Sequence, residues 1–124
     1  MRKWGLRSKK VLAQLDPRWR PILDRALHEV ADISLICGFR NEADQNEAYE
    51  NGNSKLKWPN GKHNRNPSLA VDLQPWPVPR NNFKLAGALG YIAGRIIQIG
   101  IEEGVEIRWG GDWDRDGDTT DQNF

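Results

Sequence analysis

The segment "NNFKLAGALGYIAGRIIQIGIEEG", residues 81–104, most constrains how this chain can fold. Leu85, Leu89, Ile92, Ile96 and Ile99 recur at helical spacing and make one apolar stripe, which has to be covered. Gly87, Gly90 and Gly94 weaken the helix but admit a close neighbour. No apolar stretch is long enough to span a bilayer, so insertion into a membrane is not expected. The cover is therefore sought in the rest of the chain.

Two further helices are expected upstream. "SKKVLAQL" reads as a short one with Ser8 as N-cap. In "DPRWRPILDRALHEVAD" Asp16 can cap and Pro17 suits the first helical position. Trp19, Ile22, Leu23, Ala26, Leu27 and Val30 follow there at helical spacing. "NEADQNEAYENG" is a third, started by Asn41 and stopped by Gly52. The runs "ISLIC", "LAVDL" and "VEIRWG" read as short strands, the second ended by the prolines of "QPWPVP". Residues 53–68 are polar and form a loop. Helices and strands mix without regular βαβ alternation, so the fold class is α+β, a small mixed or antiparallel sheet packed by helices. A length of 124 residues suits a single domain, residues 1–124, with one core.

Apolar residues make up 38% of the chain and charged residues 28%, which suits a soluble globular protein. The net charge of +1 gives no global field to attract nucleic acid, and a monomer is expected. Residues 2–25 are basic, which fits either an affinity for anionic polymers or a solvated helix face. The basic start lacks the apolar core of a secretory signal, so synthesis in a cytoplasm is expected. The single cysteine, Cys37, excludes an intramolecular disulfide, and its place in "ISLIC" reads as a buried, inert thiol.

The chemistry concentrates in "PNGKHNRNPSLAVDLQPW", residues 59–76. Alternation puts Leu69, Val71 and Leu73 on one face of the strand, and Ala70 and Asp72 on the other. A carboxylate on a mostly buried strand needs a cation, a metal or donors beside it. His63, in the preceding loop, could bring its imidazole alongside, and histidine plus carboxylate is a partial zinc set. A loop histidine and a strand aspartate held by backbone donors is the plainer alternative. The other histidine, His28, falls on the polar side of its helix.

"KHNRNPSLAVDLQPWP" resembles the zinc-binding segment of the M15 metallopeptidases, commonly written SxHxxGxAxD. That family includes D-alanyl-D-alanine carboxypeptidases and the L-alanyl-D-glutamate endopeptidases of phage endolysins. His63, Ala70 and Asp72 match the motif; Gly61 stands where it has Ser, and the loop from His to Asp is two residues longer. "CGFRNEADQ" resembles the family's "SGYR…Q" segment, and "IRWGGDWDRDGDTTDQNF" its glycine-tryptophan-aspartate loop.

The resemblance implies a zinc-dependent peptidase acting on the stem peptides of bacterial peptidoglycan, with L-Ala–D-Glu as the bond cut. D-alanyl-D-alanine carboxypeptidase activity, or a non-catalytic wall-binding module, are the alternatives. Action on the cell wall after release from the host cytoplasm goes with it. His63 and Asp72 are the implied zinc ligands. Arg40 is the implied oxyanion or substrate cation, or else a structural partner of Glu42 or Asp44; Gln45 belongs to the same segment or to a helix surface. The third ligand (a histidine), the general base and the last strand are expected beyond Phe124, with Asp121 a poor substitute for the base. The domain is therefore expected to be C-terminally incomplete, and residues 1–124 to bind zinc weakly and hydrolyse poorly.

The acidic loop is a second constellation. Asp112, Asp114 and Asp116 alternate before Gly117, as at the start of an EF-hand loop, but position 12 holds Asn123 instead of Glu. A Ca2+ site from Asp112, Asp114, Asp116, Asp118 and Asp121 is expected, against a solvated acidic turn. Trp58, Trp76, Trp109 and Trp113 lie near these motifs, as cleft wall or as core.

Overall fold

The computed structural model describes residues 1–110. The acidic loop, with its five aspartates and Trp113, lies outside the described residues. Helices α1 (Leu6–Leu12), α2 (Trp19–Glu29), α3 (Glu42–Glu50) and α4 (Asn82–Glu102) surround two strands, β1 (Ile33–Cys37) and β2 (Asp72–Pro75), with a 3-10 turn at Lys62–Asn64. The fold is α+β.

The long helix forms as its stripe requires. Asn81 caps it, its side chain accepting from the Phe83 and Lys84 amides. Ile92, Ile96 and Ile99 are buried with Ile22, Leu23, Ala26 and Leu27 of α2, against which α4 packs. Val11 and Leu12 of α1, then Leu15, Ile33 and Leu35, extend the same core. Arg25 ties the two long helices at their C-terminal ends, reaching Glu29 at 2.7 Å, Glu102 at 2.9 Å and Glu103 at 3.3 Å.

Strands β1 and β2 pair antiparallel, with Ile33 opposite Pro75, Ser34 opposite Gln74 and Leu35 opposite Leu73. The register then shifts, and Cys37 stands opposite Asp72. Two residues advance on β1 where one advances on β2, which is a β-bulge at Ile36.

Several expectations are corrected. Ser8 does not cap α1. The helix starts after Gly5, and the buried Ser8 hydroxyl instead accepts from the Leu35 amide at 3.0 Å, fastening α1 to β1. Helix α2 starts at Trp19 rather than at Pro17, because the chain before it is engaged elsewhere. Leu15 bridges Ser68, and the Asp16 amide donates to the Ser68 carbonyl. Strand β2 begins at Asp72, since the Leu69 and Ala70 amides bond to the Lys62 carbonyl and the Ser68 hydroxyl.

Residues 105–109 do not form the third strand; the Val105 amide returns to the Gly100 carbonyl at 2.7 Å and the segment folds back on α4. The close approach on α4 is made at Gly100, not at Gly87, Gly90 or Gly94. A Cβ there would stand 2.6 Å from Ile107 Cδ1 and 2.8 Å from the Val105 carbonyl oxygen.

Candidate metal centre

The loop ahead of β2 is held by the backbone on both sides. The Arg40 amide donates to the His63 carbonyl at 2.8 Å, and the Ser68 amide to the Gln14 carbonyl at 2.8 Å. The 3-10 turn Lys62–Asn64 then directs His63 toward the bulged end of β1.

His63 Nδ1 lies 2.7 Å from the Gly38 carbonyl oxygen. A carbonyl only accepts, so Nδ1 carries the hydrogen and, in the neutral ring, Nε2 keeps a free lone pair. Nε2 faces Asp72 Oδ1 at 3.3 Å. The buried Ser68 hydroxyl lies beside the same carbonyl at 3.1 Å, its single hydrogen shared between that oxygen and the Ala70 carbonyl at 2.7 Å. Asp72 itself is not deeply buried, as its strand position suggested; its side chain is 52% exposed, against 17% for His63. The bulged end of the sheet opens to solvent on that face.

The charges are coupled. Burial disfavours a charge on His63, but the Asp72 carboxylate, aided by Cys37, outweighs it and pushes the pKa up to about 9. Burial would raise Asp72, yet His63 and then Arg40 hold it below the usual carboxylate range. Cys37 Sγ lies 4.0 Å from His63 Nδ1, and the His63 ring draws the thiol below its ordinary range, against the effect of burial. In the absence of metal the group is an imidazolium–carboxylate pair.

Arg40 joins this group. Its guanidinium is 3.4 Å from Asp72 Oδ2 and donates to Gln45 Oε1 at 3.0 Å. The expected partners Glu42 and Asp44 are not the ones it takes. Gln45 is buried rather than on a helix surface. Its oxygen accepts from Arg40 and Asn64, and its amide donates to the Ser54 hydroxyl and the Leu56 carbonyl. Asn64, which no sequence motif singled out, donates to the Arg40 carbonyl at 3.0 Å and accepts from the Gly61 amide at 2.9 Å. That bond explains Gly61 in place of the motif's Ser: a Cβ there would sit 2.9 Å from Asn64 Oδ1.

Sequence reasoning also misplaced Cys37. It is half-buried and belongs with His63 and Asp72, each presenting one ligand atom within 4.8 Å of the others. The cause is the bulge, which no composition signal marks. His28 is exposed on α2, as its helix position indicated. Trp109 and Trp19 wall a groove of about 300 Å³ that runs from Asp72 over Val71 and Leu73 toward Leu89. Trp58 packs edge-on against Phe39, and Trp76 is exposed.

Histidine with a fixed tautomer, a half-exposed carboxylate and a supported cation are suited to holding a divalent metal beside a substrate. A family model described as phage L-alanyl-D-glutamate peptidase matches residues 1–123. The L-alanyl-D-glutamate peptidase of Escherichia phage T5 is 30% identical over 121 residues, 97% of this chain and 88% of that protein. The crystal structure of an L-Ala D-Glu endopeptidase from Serratia marcescens has the same fold. The two share a TM-score of 0.73 and 24% identity, over 94% of this chain and 84% of that one. With the match running along nearly all of its length, the chain belongs to the phage L-alanyl-D-glutamate peptidase family.

Proposed function

We propose that this protein is a zinc-dependent peptidase that hydrolyses the L-alanyl–D-glutamate bond in peptidoglycan stem peptides. The observation that carries the metal reading is the pair His63 Nε2 and Asp72 Oδ1, 3.3 Å apart. Two donors about 2.0–2.1 Å from one tetrahedral zinc stand roughly 3.3 Å apart. The donor types fit as well, an imidazole with its free nitrogen turned inward and a carboxylate open to solvent. The chemistry a bound zinc supplies is polarisation of a carbonyl and acidification of water.

The remaining roles fall to the chain's own residues. The Gly38 carbonyl keeps His63 in the ligating tautomer. Gln45 and Asn64 hold Arg40 so that its guanidinium, beside Asp72, meets negative charge as it develops on the scissile carbonyl oxygen. The chain belongs to a single catalytic domain, a monomer that works on the cell wall. No described helix is long and apolar enough to cross a membrane. Asp112, Asp114, Asp116, Asp118 and Asp121 are proposed to bind calcium, on their alternate spacing before a glycine.

The test is digestion of purified peptidoglycan by the full-length, zinc-loaded protein. New amino-terminal D-glutamate residues are expected, and none with His63→Ala. Release of free D-alanine instead would assign D-alanyl-D-alanine carboxypeptidase activity. No cleavage with zinc bound would leave a wall-binding module.

A further inference from the structure

The loop that carries His63 has a charge pattern that the metal reading does not use. From Asn51 to Val71 the chain holds Lys55, Lys57, Lys62 and Arg65 and no aspartate or glutamate, although its overall net charge is only +1. All four cations are exposed. Lys57 lies over the Tyr49 ring at 4.8 Å, and Gln45 fastens that arm of the loop to the acidic helix α3. Lys62 and Arg65 stand instead at the turn of His63 itself. In a 3-10 turn, side chains three apart leave from the same side. Gly61 and Asn64 show this on the buried side, where the Asn64 side chain accepts from the Gly61 amide. Lys62 and Arg65 are the next such pair, and the Arg65 amide returns to the Lys62 carbonyl at 3.4 Å. Between them in the chain, His63 turns to Asp72. Among the described residues neither cation is in an ion pair. Lys62 also lines a cavity of about 200 Å³ with Asp16 and Glu106, but both oxygens of Asp16 are taken by Arg18.

We propose that Lys62 and Arg65 bind the free carboxylate of the substrate's D-glutamate and so select that form of the stem peptide. The proposal rests on the cleavage reading given above. In that substrate D-glutamate continues the stem through its side-chain carboxyl. Its α-carboxylate is left free, on the carbon that bears the scissile nitrogen. A scissile bond beside His63 and Asp72 therefore brings a negative charge close to the His63 turn. Arg40 is already engaged by Asp72 and Gln45. Lys62 is next to His63 in the chain, about 3.8 Å away between Cα atoms, and Arg65 follows one turn later. Two exposed cations on one edge of the turn suit a carboxylate that enters from solvent and leaves to it. Because they are exposed, they serve capture and selection more than the chemical step.

Two stem peptides test this, alike except that the D-glutamate α-carboxylate is free in one and amidated in the other. With the full-length, zinc-loaded protein, kcat/KM should be roughly fivefold to thirtyfold higher for the free carboxylate, mostly through KM. That preference should shrink as ionic strength rises, since exposed charges are screened. In Lys62→Gln/Arg65→Gln the ratio should fall to near one, with zinc affinity and Tm close to wild type. Lys62→Arg/Arg65→Lys keeps both charges and should keep most of the preference. A double glutamine variant that still discriminates as wild type does overturns the assignment and leaves the cleavage reading standing. A wild-type protein that cuts both peptides equally well does the same. Failure to cut either peptide with zinc bound overturns the cleavage reading, and this proposal with it.

Discussion

His63 is useful because its two nitrogens have different neighbours. The Gly38 carbonyl takes the Nδ1 hydrogen, and Asp72 stands before Nε2. Without metal that second nitrogen is protonated, with a pKa pushed up from 6.5 to about 9. A proton and a metal then compete for one lone pair, so apparent zinc affinity should rise with pH until about 9 and level off. The stability of the metal-free chain should run the other way. The His63 pKa is raised by folding, so its contribution is complete below about 6.5 and is lost as pH rises through about 9. Asp72 is lowered by folding, so its contribution is lost as pH falls through the acid range. In urea, with chelator present, the midpoint should be higher at pH 6 than at pH 9.5. The expected loss is about 1–2 kcal/mol, given how open Asp72 is to solvent. His63→Ala should flatten that difference; a slope retained in the variant would place its source elsewhere. Gln45 makes a separate prediction. Gln45→Leu leaves Arg40 and Asn64 without their shared acceptor, and should destabilise by about 1–3 kcal/mol. It should also lower kcat while leaving zinc affinity near wild type.

At the scale of elements, the close contact between α4 and the chain that follows it is made at Gly100. The new Cβ of Gly100→Ala would meet Ile107 and the Val105 carbonyl, and backbone cannot yield as a side-chain tip can. The change should cost about 1–3 kcal/mol. Gly94 has open space around its added Cβ, so Gly94→Ala should stabilise by up to about 1 kcal/mol through helix propensity. Opposite shifts in melting temperature are expected, and shifts of the same sign would show that the 105–107 return is not packed as described. These two glycines illustrate what the sequence could tell. The stripe of α4, the Asn41 cap and the strand "ISLIC" were legible because each is written in local periodicity or turn chemistry. Gly100 looked like its helical neighbours, since its partner arrives from the segment after the helix. Cys37 looked like a core residue, since the bulge that re-aims it depends on pairing with β2. His63 and Asp72 were legible as a pair only through motif resemblance; their spacing alone permitted a plain loop and strand.

Across the whole molecule the site is a junction. Cys37 ends β1, Asp72 begins β2, and His63 sits in a loop bonded back to Gln14 and Arg40. Helix α1 is fastened to β1 by Ser8, and α2 to the loop by the Trp19 indole on the Leu69 carbonyl. The three side chains come together only when these connections are made, so the unfolded chain offers no comparable site. A ligand that binds only the folded state stabilises it by mass action, about 2.7 kcal/mol at a hundredfold excess over Kd. For a domain of this size that corresponds to a rise in Tm of roughly 10 °C. Zinc should produce such a rise in the intact chain, as one cooperative transition that chelator reverses. His63→Ala and Asp72→Asn should each remove the rise while keeping the metal-free Tm measurable. Because both strands and the loop converge on His63 and Asp72, far-ultraviolet circular dichroism and tryptophan fluorescence should shift together when zinc binds. If zinc moved only the fluorescence, it would be binding to a local surface, and the picture of a site built by the folded core would be wrong.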